Sequence, residues 1–243
     1  MRLDGAVKLD DANGPPPDDA AGSAAGRRPL GASPLGAADR TPKGQIRQAN
    51  EVVILGAGER VFARVGFTGA TMAAIAEEAG LPKANIHYYF GNKAELYRAV
   101  LSRTLHDWLV PADVITPGAD AREALSGYIR AKMALSARRP DASRVFANEL
   151  LHGAPVLGEL LRTDLREMVR EKAAVIDGWI AEGRMAPVDS THLFFTIWAA
   201  TQTYADFEVQ VRAVLGRETL EAADHERATE HVVGLVLRGC GLG

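Results

Sequence analysis

The spacing of Ala76, Gly80 and Ile86 in MAAIAEEAGLPKANIHYYF restricts this chain more than any other feature. A small residue lets two helices cross closely, a glycine four residues on accepts a left-handed turn, and a branched aliphatic beyond it pins the second helix to the first. This is a helix-turn-helix pattern, with Ile75, Ala79, Leu81 and Tyr89 in the remaining inward positions. If Ile86, Tyr89 and Phe90 face inward, helical geometry turns Lys83, Ala84, Asn85, His87 and Tyr88 outward. Short donors and a small residue at the start of a helix suit the edges of a DNA major groove. The plainer alternative is a solvated face with incidental polar groups.

Helical signals continue on both sides of the motif. Ile46 to Val65 carries apolar residues at roughly helical spacing, weakened at Gly56 and Gly58, each costing about 1 kcal/mol against alanine. GFTGA then reads as a turn, and Thr71 as the cap of TMAAIAEEA. Asn92 with Glu95, and Asp120 with Glu123, have capping-box spacing before KAELYRAVLSRTLHDWL and before 121–138. Pro140 and Pro155 suit first turns of helices over 141–152 and 156–181. Two long helices, about 190–215 and 218–238, complete the chain. Nothing alternates as a strand would, so the expectation is an all-α protein of about nine helices. It divides into a head over 40–104 and a larger helical domain over 105–243. Residues 1–39, rich in Gly, Pro, Ala and Asp, cannot bury enough to offset ordering and read as a disordered tail. Arg27 and Arg28 in it read as solvated linker charges rather than DNA contacts.

Charge supports the same division. The whole chain carries −3, yet 40–103 holds nine lysines and arginines against five acids, a local +4. A basic module on an acidic body suits a polyanion bound at one end. Cys240 is the lone cysteine, so no internal disulfide is available and a reducing cytoplasm is the expected home. Its place at the extreme end makes it structural or incidental rather than a nucleophile. No apolar run approaches the roughly 18 residues of a membrane span.

In GERVFARVGFTGATMAAIAEEAGLPKANIHYYFGNKAELYRAVL, the G-F-x-G-x-T turn, the I-A-x-x-A-G segment and the Y-Y-F-x-x-K ending resemble the TetR-type transcriptional regulators. The resemblance implies that Lys83, Ala84, His87 and Tyr88 face bases, that Thr71, Asn85, Tyr88 and Lys93 hold phosphates, and that the arm from Arg40 to Arg47 reaches DNA. It implies a homodimer on a palindromic double-stranded operator, paired through its last two helices, with no cofactor beyond a small-molecule effector. His87 stands where relatives often carry an aliphatic residue or tyrosine, so no operator is carried over. SRVFANELLHGAP, IDGWIAEGRMAPVD and HLFFTIWAATQTYADFEVQV further resemble the RutR subfamily, which responds to pyrimidine bases. That resemblance places Trp198, Gln202 and Tyr204 near an effector such as uracil or thymine, with Arg144 and Glu149 as further polar contacts. From the residues alone, a glutamine amide offers a donor beside an acceptor for an imide edge, and a tryptophan can stack on a planar ring. Equally, Trp198 can be core, Gln202 can bond a backbone carbonyl, and Arg144 and Glu149 can pair with each other.

Two other functions compete. Glu149 and His152 have the E-x-x-H spacing of half a di-iron site, which would suit a helical metalloenzyme, but no second such pair occurs. Glu221 and His225 lie four apart without further carboxylates in a paired site. A helical interaction protein with a degenerate head is the third reading, supported only by the two glycines of the first helix.

Overall fold

The structure is a computed structural model that describes residues 41–243, all within one of the two units into which the chain divides, 33–243. The expected tail, Arg27, Arg28 and Arg40 lie outside the described residues. Every regular element among those described is helical.

Thr41 accepts a hydrogen bond from the Gly44 N–H at 3.2 Å and caps α1 (Pro42–Gly69). The helix therefore starts where an extended arm to Arg47 was expected, because Thr41 and Pro42 form a ready cap and first turn. Gly66 interrupts α1 with φ 69° and ψ 176°, a conformation glycine adopts without penalty. Thr71 accepts from Ala74 N–H at 3.1 Å and opens α2 (Met72–Ala79). Gly80, left-handed at φ 65°, turns the chain into α3 (Lys83–Phe90). Asn92 then caps α4 (Lys93–Leu109): its Oδ1 accepts from Glu95 N–H, and its amide donates to the Glu95 carboxylate in place of the expected backbone bond.

After a 3-10 turn at Val110–Val114, Asp120 caps α5 (Ala121–Arg138), and Pro140 begins α6 (Pro140–Leu151). The helix expected from Val156 starts later. Gly153 and Ala154 have positive φ, and the Glu149 carboxylate takes the N–H groups of Val156 and Leu157, so Pro155 sits in a loop. The short α7 (Gly158–Leu160) passes through a π-helical turn at Leu161–Leu165 into α8 (Arg166–Ala181). The expected helix over 190–215 is two, α9 (Ser190–Asp206) and α10 (Glu208–Leu215). At their junction Arg144 holds the Ala205 carbonyl and Ser143 the Asp206 carboxylate. Glu221 and Asp224 form the capping box of α11 (Ala222–Gly239), which starts later than position 218.

Two apolar cores result. One fills the space between α5, α8, α9 and α11, and includes Tyr128, Trp179, Phe194 and the buried Cys240. Burial alone pushes the Cys240 thiol above its ordinary pKa, which keeps it protonated and unreactive. The other joins α1 to α4 and continues into α6 through Val145 and Phe146. The head is thus packed directly onto the larger domain. Gly58 has a packing reason: a Cβ there would meet Val100 Cγ2 at 3.2 Å, so its absence lets α1 approach α4.

Candidate nucleic-acid interface and effector cavity

Within α3, Ile86 and Phe90 are buried against the head core, while Lys83, Ala84, His87 and Tyr88 are exposed. Asn85 is half-buried, less outward than expected. The adjacent tyrosines divide. Tyr88 is 73% exposed, whereas Tyr89 is half-buried and its hydroxyl accepts from the Asn50 amide at 3.2 Å, tying α3 to α1. Their rings meet edge to face at 5.4 Å. His87 Nδ1 lies 2.6 Å from the Gly91 carbonyl oxygen. A carbonyl only accepts, so Nδ1 carries a hydrogen and donates it. Thr71 is exposed, and its hydroxyl hydrogen remains available beyond the oxygen that caps α2.

Lys93 is used differently from the expectation. Its ammonium donates to the carbonyls of Phe67 at 2.7 Å and Ala70 at 2.9 Å, and lies 4.6 Å from the Phe67 ring centre. Orphan carbonyls after a helix attract a cation, so this lysine closes the α1–α2 turn.

The larger domain encloses a cavity of about 270 Å³ reached by α4, α5, α6, α8, α9 and the π turn. Its walls are mostly aliphatic and aromatic, with Trp108 against Phe146 at 4.7 Å between ring centres. Trp198 and Gln202 both line it, one helical turn apart on α9. The Trp198 indole N–H donates to the Tyr128 hydroxyl at 2.7 Å, which fixes the ring and leaves its face to the cavity. Burial pushes the Tyr128 phenol up to about 12, so it stays protonated. The Gln202 amide has no hydrogen-bond partner among the described residues, and the expected bond to a backbone carbonyl is not made. This half-buried amide therefore has both its donor and its acceptor free. The π turn supplies Leu161 and Leu165, an irregularity frequent at functional sites.

The sequence matches two family models end to end: "Bacterial regulatory proteins, tetR family" over residues 54–100, and "YcdC-like protein, C-terminal region" over 101–243. The chain belongs to the TetR family. It is 41% identical over 191 residues to the HTH-type transcriptional regulator RutR of Escherichia coli O157:H7, covering 79% of this chain and 90% of that one. A more distant relative is the regulator TtgR of Pseudomonas putida, 35% identical over 111 residues, or 43% of this chain and 50% of that one. Among solved structures, a TetR-family regulatory protein from Rhodococcus RHA1 superposes with TM-score 0.62 at 19% identity, covering 78% of this chain and 95% of that one. One from Marinobacter aquaeolei superposes with TM-score 0.58 at 19% identity, covering 78% and 96%. These last two show the fold. The family consists of transcriptional regulators that bind DNA and act as dimers, not of enzymes, which removes the metalloenzyme reading.

In this TetR-family chain three of the five expected effector residues lie away from the cavity. Arg144 spends its donors on Asp141 at 2.8 Å, Glu208, and the Ala205 carbonyl at 3.2 Å, so it holds α6 to the α9–α10 joint. Glu149 is 3% exposed and does not pair with Arg144. It accepts from Val156 N at 2.6 Å, Leu157 N at 3.1 Å and the Tyr97 hydroxyl at 3.1 Å, and so serves as a loop anchor away from the cavity. Burial, reinforced by that carboxylate, pushes the Tyr97 phenol well above its ordinary pKa. His152 bonds the Asn148 carbonyl and is exposed, so the E-x-x-H pair does not converge. Tyr204 lines a separate groove of about 430 Å³ between α9, α10 and α11. Conversely, sequence reasoning missed Trp108, Phe146 and Lys132 in the cavity. Lys132 had a signal: it interrupts the apolar stripe Ala121, Leu125, Tyr128, Ile129 and Met133 of α5.

Proposed function

We propose that the protein is a homodimeric repressor that reads a palindromic operator with α3 and is released by a small planar ring, of the pyrimidine-base kind, held in the α4–α9 cavity. The observation that carries the effector reading is the unpartnered Gln202 amide in a cavity also lined by Trp108 and Trp198. An amide pairs with the donor–acceptor edge of a cyclic imide, and tryptophan faces stack on its ring. Uracil and thymine are the candidates by resemblance to the RutR subfamily, and the 41% identity to RutR supports it.

Readout would fall to Lys83, Ala84, His87 and Tyr88, with Thr71 and Asn85 positioning phosphates. The dimer face would lie on α9 to α11, where Phe195, Phe207, Val209, Val214 and Leu235 are exposed. Such apolar area is unusual unless covered. Two-fold pairing presents two α3 helices to successive major grooves, about 34 Å apart.

α4 provides the coupling. It starts two residues after α3, runs 17 residues or about 25 Å, and delivers Leu105, Trp108 and Leu109 to the cavity. A ring that shifts Trp108 therefore moves the base of the recognition helix. Linkage requires that ligand weakens DNA by the factor that DNA weakens ligand.

A gel shift with the protein's own upstream DNA should give a sequence-preferring complex that uracil or thymine dissolves, and His87→Ala should alter preference among operator variants. A complex indifferent to every pyrimidine at millimolar level refutes the effector and leaves the regulator. No sequence preference at moderate salt refutes the reading head.

A further inference from the structure

Lys132 is the cavity group that a neutral ring does not account for. The residue is 3% exposed, and its ammonium lies 4.1 Å from the Trp108 ring centre. It has no hydrogen-bond or ion-pair partner among the described residues. The carboxylate that acts on it is Asp206 of α9, and it acts through space only, because Asp206 accepts from the Ser143 hydroxyl at 2.5 Å and faces Arg144. The remaining cavity walls, from α4, α6, the π turn and α8, are apolar. Burial accordingly pulls the ammonium down to about 7, with Asp206 opposing.

A cation taken out of water without a hydrogen-bonded partner is unfavourable, and a tryptophan face compensates only part of the loss. An anionic oxygen on the ligand would compensate it fully, in a dry site where the attraction is strong. A neutral carbonyl oxygen would do so weakly. Gln202, on the same cavity, is left to pair the ring's N–H and carbonyl edge.

We propose that Lys132 is a specificity-determining residue of the effector site, and that the cavity selects planar six-membered cyclic ureides that carry negative charge on an exocyclic oxygen over neutral ones of the same size. This rests on the effector reading above. Lys132 is the donor and positive charge, Gln202 the edge reader, and Trp108 and Trp198 the faces.

Titration calorimetry on the dialysed full-length protein, with uracil and with barbiturate, tests this, since barbiturate has the same ring and is anionic at neutral pH. Wild type should bind barbiturate about tenfold or more tighter than uracil, the scale of one desolvated charge contact. Lys132→Met should erase that preference by weakening barbiturate far more than uracil, and Lys132→Arg should retain it. One measurement needs no variant. An anion holds Lys132 protonated, so at one unit above its value, about pH 8, barbiturate binding should take up a proton and uracil binding much less. Equal preference in wild type and Lys132→Met, or absent proton uptake, overturns the assignment while uracil binding keeps the effector reading. Failure of both rings to bind wild type overturns both.

Discussion

Arg139 stands at the joint of α5 and α6, and its guanidinium grips Glu59 of α1 and Asp107 of α4. The Arg139–Glu59 contact is 2.5 Å, with side-chain exposures of 22% and 9%, while Asp107 is 32% exposed. Replacing Arg139 by methionine leaves the Glu59 carboxylate buried without its partner. Removing one member of a fully buried pair costs about 3 to 5 kcal/mol. The partial exposure of Arg139 and Asp107 screens part of this, so Arg139→Met should lower the unfolding free energy by roughly 2 kcal/mol. The double variant Glu59→Leu/Arg139→Met should regain most of that, because apolar replacements of a buried pair are neutral or stabilising. Urea unfolding followed by tryptophan fluorescence reads both. The same joint connects two helices of the head, α1 and α4, to α5, the helix of Lys132. Arg139→Met should therefore keep operator and ligand binding individually but reduce the ligand-induced change in operator affinity, from a coupling of about 1 to 3 kcal/mol to under about 0.5 kcal/mol. A variant within about 0.5 kcal/mol of wild type in stability, or a double variant no better than the single, would refute the argument.

Lys93→Met should destabilise the head by roughly 1 kcal/mol through lost bonds to the Phe67 and Ala70 carbonyls, seen as a lower urea midpoint. An unchanged midpoint with uniformly weaker DNA binding would restore Lys93 as a phosphate contact. Gly56→Ala should stabilise by up to about 1 kcal/mol, because its added Cβ meets only the end of the Arg60 side chain, at 3.6 Å. Gly58→Leu should destabilise by about 1 to 3 kcal/mol through its clash with Val100 and Leu96, and thermal unfolding of the pair checks the contrast. Lys132→Met should be more stable than wild type by a margin that is constant below pH about 7 and shrinks from there towards 10.5. In that window the unfolded lysine holds a proton that the folded one has released, so wild-type stability rises with pH. A margin independent of pH between those values would show that Lys132 is not buried as a charge.

What could be read in advance follows the range of the interactions involved. Capping at Thr71, Asn92 and Asp120, the glycine turn at Gly80 and the inward set of α3 depend on neighbours within four residues, and all appear as expected. Elements whose ends depend on distant partners were misplaced. The break after Asp206 lies where Ser143 and Arg144 of α6 hold the chain, and the late start of α7 reflects the use Glu149 makes of the loop amides. The same limit governs the site. Trp198 and Gln202 lie one turn apart on one helix, so a local pattern singled out two residues that do line the cavity. Arg144 and Glu149 were equally polar in the sequence, yet each also bonds a group remote along the chain, Glu208 and Tyr97, away from the cavity.

Lys132 and Arg139 sharpen the point, because the role of each is set by partners remote along the chain. A lysine on the buried face of α5 conflicts with its surroundings unless a ligand completes it. An arginine at a helix joint is unremarkable until Glu59 and Asp107 are placed beside it. The two lie seven residues apart, about two turns, with Lys132 facing the cavity and Arg139 facing the head. Charge supplied by a ligand at the first would change the packing of α5 against Trp108, while the second fixes the end of that helix to α1 and α4. On the proposed reading, α5 carries both the incomplete group at the sensor and the stiff connection to the reader.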